Sequence, residues 1–160
     1  MCGITGIITT ARTRIDQAVL RRMTESITHR GPDDDGYFWG NQVAFGHCRL
    51  SIIDAAGGHQ PMLSADEGVV LTYNGEIYNF QFLRRELEGL GHTFKTECDT
   101  EVLLEAYLEW GQDCVSRLRG MFAFAIWDNR KGELFLARDR LGIKPLYYAS
   151  LPDGTFLFAS

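Results

Sequence analysis

Apolar residues recur along this chain with two spacings, and the change between them separates strands at both ends from helices in the middle. The stretch 3–9, GITGIIT, is rich in Ile and Thr and predicts a strand. Gly3 and Gly6 within it mark places where another backbone or a ligand comes close. Ile15, Ala18, Val19, Met23 and Ile27 fall at helical spacing and predict a helix over 15–28, with Thr13 and Asp16 as its capping signal. The cluster from His29 to Gly36 reads as a loop. Two β-like segments, 37–40 and 42–53, follow, with Gly40-Asn41 as a hairpin turn between them.

Residues 55–61 are loop by composition, and 68–74 predict a strand broken by the turn pair Asn74-Gly75. A helix is expected from about Asn79 to Leu90, with Phe80, Leu83, Leu87 and Leu90 inward and Gly91 past its end. A short strand at 93–96 precedes a second helix over 100–109 that buries Val102, Leu103, Ala106 and Tyr107, and a weaker helical piece lies near 112–118. The last third is β-rich, with strands at 121–128 and 133–138 about a turn at 129–132, then strands near 145–150 and 155–160 joined by Pro152-Asp153-Gly154. Strands at both ends with helices between suit a layered α+β domain of antiparallel sheets with helices outside.

At 160 residues the chain is expected to form one domain, residues 1–160. With 45% hydrophobic and 23% charged residues it has an ordinary globular composition. The net charge of -5, with no basic stripe, speaks against a nucleic-acid partner. The longest apolar run, Met121–Trp127, is far short of the ~20 residues of a membrane span, so no membrane partner is expected. No signal peptide is read at the N-terminus, and Cys2, Cys48, Cys98 and Cys114 form no CxxC pair, which predicts a reducing, cytoplasmic setting. The spacing of His29, His47, Cys48 and His59 matches no metal-ligand motif.

Five clusters carry candidate chemistry. If Met1 is removed, Cys2 holds a thiol and a free α-amine in one residue, and an ordinary α-amine, with a pKa of about 7.7–8.0, is partly neutral near pH 7. That joins a nucleophile to its own general base; the bland alternative is a small buried cysteine at a strand start. Arg49 stands in an otherwise apolar stretch and needs an anion, either a ligand carboxylate or a protein acid. Asn74-Gly75 is either a turn or a pair of donors for an oxyanion, the Asn amide and a backbone N–H. Asp99 is a helix N-cap that can equally present its carboxylate to an ammonium. The charges of the stretch 137–148 read as a solvated loop or as part of a site, and the residues alone do not choose.

Taken in order, the motifs MCGI at 1–4, RGPD at 30–33, RLSIID at 49–54, HQPM at 59–62 and YNGEIYN at 73–79 resemble one known family. So do CDTEV at 98–102, GMFAFA at 120–125 and RDRLGIKPLYY at 138–148. The family is the glutaminase half of glutamine-hydrolysing asparagine synthetases, the class II glutamine amidotransferases. The resemblance implies an αββα four-layer N-terminal-nucleophile sandwich that hydrolyses L-glutamine to L-glutamate and ammonia. It makes Cys2 the nucleophile and matches Asn74 and Gly75 to the oxyanion hole. Arg49 then faces the substrate carboxylate, Glu76 and Asp99 face its ammonium, and the backbone of Leu50, Ser51, Ile52 and Ile53 lines the pocket.

The resemblance implies no cofactor or metal for this domain. ATP and Mg2+ belong to a C-terminal synthetase domain, whose SGGxDS loop does not occur in this sequence. The expected partners are L-glutamine and that synthetase domain; a homodimer is left open. Three rival readings stand beside this one. They are the same half-reaction feeding a sugar or nucleotide precursor, a non-catalytic glutamine-binding module, and a hydrolase for other amides.

Overall fold

Two antiparallel sheets carry the fold. The computed structural model describes residues 2–9, 14–50 and 58–160. The first sheet contains β1 (Gly3–Ile8), β2 (Asp34–Trp39), β3 (Val43–Arg49), β8 (Tyr147–Ser150) and β9 (Phe156–Ala159), in the order β2-β3-β1-β9-β8. The second contains β4 (Met62–Leu63), β5 (Val69–Ile77), β6 (Gly120–Asp128) and β7 (Glu133–Arg138), in the order β4-β5-β6-β7. Helix α1 (Gln17–Glu25) belongs to the first sheet; α2 (Phe80–Gly89), α3 (Asp99–Trp110) and the short α4 (Cys114–Arg117) belong to the second.

Because successive residues of a strand face opposite ways, each sheet has two apolar faces with different partners. Ile7 and Ala44 of the first sheet pack on Leu20 of α1. Ile4, Ile8, Val43, Phe45 and Phe158 of the same sheet meet Val70, Ala125 and Trp127 of the second. On that sheet's far side Leu71, Tyr73, Phe122, Phe124 and Ile126 meet Leu83, Leu87, Leu103 and Leu104 of α2 and α3. The layers therefore run helix, sheet, sheet, helix: the αββα arrangement expected from the resemblance. The aromatic stretches 121–127 and 156–158 supply its core, with Phe45 and Phe158 in edge-to-face contact at 5.5 Å. Close approach explains Gly6, where a Cβ would lie 2.1 Å from the Phe158 ring.

Several boundaries differ from the sequence reading. Thr13 lies outside the described residues, and Asp16 itself caps α1 by accepting from Ala18 N at 2.8 Å. The residues 93–96 form no strand: the backbone N–H groups of Lys95 and Thr96 are taken by the Glu101 carboxylate, at 2.9 and 2.7 Å, rather than by a ladder. Leu90 is exposed, because α2 ends at Gly89 and the chain turns away through Gly91 in the left-handed region (φ 101°). The predicted turn at Asn74-Gly75 does not exist; β5 runs straight through both, which pair with Ala123 and Phe122. Long antiparallel pairing with β6 overrides the local turn preference.

Candidate active site

The same alternation that fills the layer between the sheets aims polar residues into one end of it. On β3, Val43 and Phe45 face the second sheet, and His47 and Arg49 follow at the same period. On β5, Val70 sets the face that Asn74 and Glu76 share, and on β6 the partners Ala125 and Trp127 are followed by Met121. Cys2 stands just before β1, two residues ahead of Ile4. A cavity of about 140 Å³ lies where these positions converge. Cys2, Arg49, Leu50, Asn74, Gly75, Glu76 and Asp99 all line it. This is space for a small metabolite rather than for a polymer. Ser51, Ile52 and Ile53 lie outside the described residues.

The Cys2 thiol is half-buried and sits at the Leu50 backbone, 3.4 Å from its N–H and 3.6 Å from its carbonyl. The Arg30 guanidinium donates to the Cys2 carbonyl at 3.2 Å, fixing the residue from behind. Gly75 has no room for a side chain: a Cβ would lie 2.4 Å from the Met121 carbonyl oxygen. The Asn74 amide is buried and donates to the Ser160 hydroxyl at 2.8 Å.

Asp99 is not the N-cap of α3. Cys98 holds that place, and Asp99 begins the helix itself. Its Oδ2 accepts from Tyr73 Oη at 2.8 Å and from Ile77 N at 2.9 Å, which ties α3 to β5. Burial lifts the Asp99 carboxyl above its ordinary range, partly offset by those two donors. Burial and the neighbouring Asp99 charge push the Tyr73 phenol well above its own range, so it stays a donor. Tyr73 is held further by Gln60, whose side-chain oxygen accepts from Tyr73 N at 2.6 Å. His47 lies 3.2 Å from the Tyr73 carbonyl and spans the two sheets; burial drops its pKa to about 4, so a neutral ring donates through Nε2.

The stretch 137–148 is exposed along much of its length, yet two of its charged residues, Asp139 and Lys144, are buried. Asp139 is buried, and its two oxygens collect the backbone N–H groups of Phe122, Leu141, Ile143 and Lys144 at 2.8–3.2 Å. Burial alone would raise this carboxyl; the four donors hold it below the ordinary range. The loop so fixed brings Lys144, 3% exposed, to the cavity wall. Burial lowers the Lys144 pKa, while the nearby Cys2 and Glu76 oppose that shift. Lys144, Gln60, Tyr73, Thr100 and Met121 line the cavity and were not predicted as site residues. All five stand inside the quoted motifs, which was the available signal.

The cavity thus carries opposite charges from different elements, Arg49 and Lys144 against Glu76 and Asp99. That suits a small zwitterion. A family model described as a glutamine amidotransferase domain matches residues 1–160. The chain belongs to the glutamine amidotransferase domain family. Asparagine synthetase [glutamine-hydrolyzing] 3 of Bacillus subtilis is 47% identical over 163 residues, covering all of this chain and 26% of the relative. Asparagine synthetase [glutamine-hydrolyzing] 1 of the same organism is 48% identical with the same coverage. The putative asparagine synthetase 2 of Methanocaldococcus jannaschii is 42% identical over 180 residues, covering all of this chain and 34% of the relative. The chain of this amidotransferase domain therefore spans about a quarter to a third of the curated relatives it matches. Among solved structures, the glutamine phosphoribosylpyrophosphate amidotransferase of B. subtilis superimposes with a TM-score of 0.80 at 24% identity, over 99% of this chain and 41% of the other. That likeness speaks for the shared fold.

Proposed function

We propose that this amidotransferase domain hydrolyses L-glutamine to L-glutamate and ammonia at the cavity between its sheets. The observation that carries the reading is the convergence of Cys2 from one sheet with Asn74 and Gly75 from the other, between walls of opposite charge. Arg49 takes the α-carboxylate of the substrate as a guanidinium does best. Glu76 and Asp99 take the α-ammonium, whose charge offsets the burial of the Asp99 carboxylate. The side-chain amide then reaches toward Cys2.

Removal of Met1 frees the Cys2 α-amine, which accepts the thiol proton. The thiolate attacks the amide carbonyl, and the developing oxyanion is met by the Asn74 side-chain N–H and the Gly75 backbone N–H. The tetrahedral species collapses with the C–N bond breaking; the leaving nitrogen takes the proton from the α-amine and departs as ammonia. Water then cleaves the γ-glutamyl thioester to glutamate and the free thiol. In a longer protein built like the named relatives, the ammonia supplies a synthetase domain that makes asparagine from aspartate with ATP and Mg2+.

The test is glutamate release from glutamine. Cys2→Ala is expected to bind glutamine and to lose turnover to background. A protein retaining Met1, identified by mass spectrometry, is expected to be inactive because its catalytic amine is an amide. Release by Cys2→Ala at a rate near that of the parent would overturn the proposal.

A further inference from the structure

Cys2 and Asn74 lie on different sheets, so no hydrogen-bonded ladder sets the distance between them. A shift of about 1 Å between a nucleophile and its oxyanion donors costs on the order of 10²-fold in rate. Something must hold the two sheets in register at this end of the layer. His47 spans them through the Tyr73 carbonyl, one residue before Asn74, which fixes backbone but not the Asn74 amide. The second link is Ser160. Its backbone N–H donates at 2.9 Å to the carbonyl of Ile4 on β1, two residues after the nucleophile that leads into that strand. Its hydroxyl accepts from Asn74 Nδ2 at 2.8 Å across the layer. Both side chains are buried, Asn74 at 1% and Ser160 at 5% exposure.

A primary carboxamide has two N–H donors on one nitrogen. With one of them given to Ser160, the planar group is held with its nitrogen on the Ser160 side and the second N–H free to serve the cavity that Asn74 lines. Without that anchor, the amide can rotate to present Oδ1 instead, which repels an oxyanion. We infer that Ser160 is a positioning residue for the oxyanion hole, fixing the Asn74 amide relative to the strand that carries Cys2. This rests on the glutaminase reading above and adds a residue to it. Ser160 touches no reacting atom; it acts through Asn74.

The experiment compares Ser160→Ala and Ser160→Thr with the parent in the intact protein, following glutamate release, Cys2 alkylation by iodoacetamide and thermal unfolding. Alkylation forms no oxyanion, so it reports the thiol alone. Ser160→Ala is expected to lower kcat roughly tenfold, the loss of about one hydrogen bond's positioning, below the ~10²–10³-fold of deleting a donor outright. KM for glutamine and the alkylation rate are expected to stay within twofold, and Ser160→Thr, which keeps a hydroxyl, to recover most of kcat. A Ser160→Ala variant with unchanged kcat overturns the inference. So does one whose kcat, alkylation and melting temperature fall together without recovery in Ser160→Thr, since that pattern is simple collapse of the strand end. A parent protein that alkylates at Cys2 yet releases no glutamate overturns the glutaminase reading itself, and the role of Ser160 falls with it.

Discussion

Strands β1, β3, β5 and β6 build both ends of the layer between the sheets with one pleat, yet one end is filled and the other is hollow. At the filled end Ile8, Val43, Val70 and Trp127 close against each other, none more than 8% exposed. At the other end the same faces of β3, β5 and β6 carry Arg49, Glu76 and Met121, with Cys2 just before β1, around a cavity. Nothing in strand geometry requires the difference; residue type alone makes it. Apolar side chains at native density leave no room for a ligand. A group such as Arg49 is tolerated 7% exposed only where hydrogen bonds or an opposite charge replace water. The polar end thus depends on pairing where the filled end depends on packing, and the zwitterion of the proposed reaction adds to that pairing.

The contrast predicts that the two ends can be damaged separately. Trp127→Ala removes a large side chain from the filled end and is expected to cost about 3–5 kcal/mol of stability. Part of that is the Nε1 bond to Asn129 Oδ1 at 2.6 Å. Urea unfolding measures the loss, and glutamate release per folded molecule is expected to stay within twofold. A parallel fall in activity would show that the ends are one mechanical unit.

Asn74→Ala is the converse at the hollow end. It deletes the amide donor, with kcat expected to fall ~10²–10³-fold. Its stability cost is only about 1 kcal/mol, for the bond to Ser160. If stability dropped as far as for Trp127→Ala while kcat held, Asn74 would be a core residue and not a donor.

Most of this architecture is legible in periodicity alone. The apolar positions of β1, α1, β5, α3 and β6 already sort by period into faces, and those faces became the layers. What periodicity misses is pairing at a distance. Asn74-Gly75 carries the strongest local turn signal in its neighbourhood, yet nine residues of β6 opposite β5 keep the strand extended. The residues 93–96 look like a strand but spend their N–H groups on Glu101, a partner no local window weighs. Asp99 has cap chemistry, but Tyr73 Oη and Ile77 N claim its carboxylate from 22–26 residues away. Among the residues that line the cavity, Cys2, Arg49 and Asn74 stand out in the sequence because each residue type is costly or reactive where it stands, whereas Glu76 is pointed to by the family resemblance alone. Ser160 was not, because a serine near a strand end has no signature; its meaning lies in the 86-residue separation from Asn74.

A third region bounds the comparison from outside, and it carries the smallest expected effect. On the helical layer His92 contacts Glu105 through Nδ1 at 2.6 Å and Glu109 through Nε2 at 2.9 Å. Burial alone would lower this imidazole's pKa, but the bonds to Glu109 and Glu105 outweigh it and hold the pKa above the ordinary value. A group whose pKa is raised on folding stabilises the fold fully below its unfolded value, about 6.5 for His. That contribution is lost as pH rises through the folded value. The pairs are partly solvated, so the gain belongs in the range of about 0–1 kcal/mol found for exposed ion pairs. The difference in urea midpoint between the parent and His92→Gln is therefore expected to be greatest near pH 6 and to shrink toward pH 9, and to shrink further with added salt. The pH profile of glutamate release is expected to be the same in both proteins, since His92 lies outside the residues that line the cavity. A midpoint difference that grows with pH would mean the imidazole is neutral in the fold. A shifted activity profile would mean that charge on the helical layer reaches the hollow end, and that the polarity confined there by the pleat is set from further out than its own lining residues.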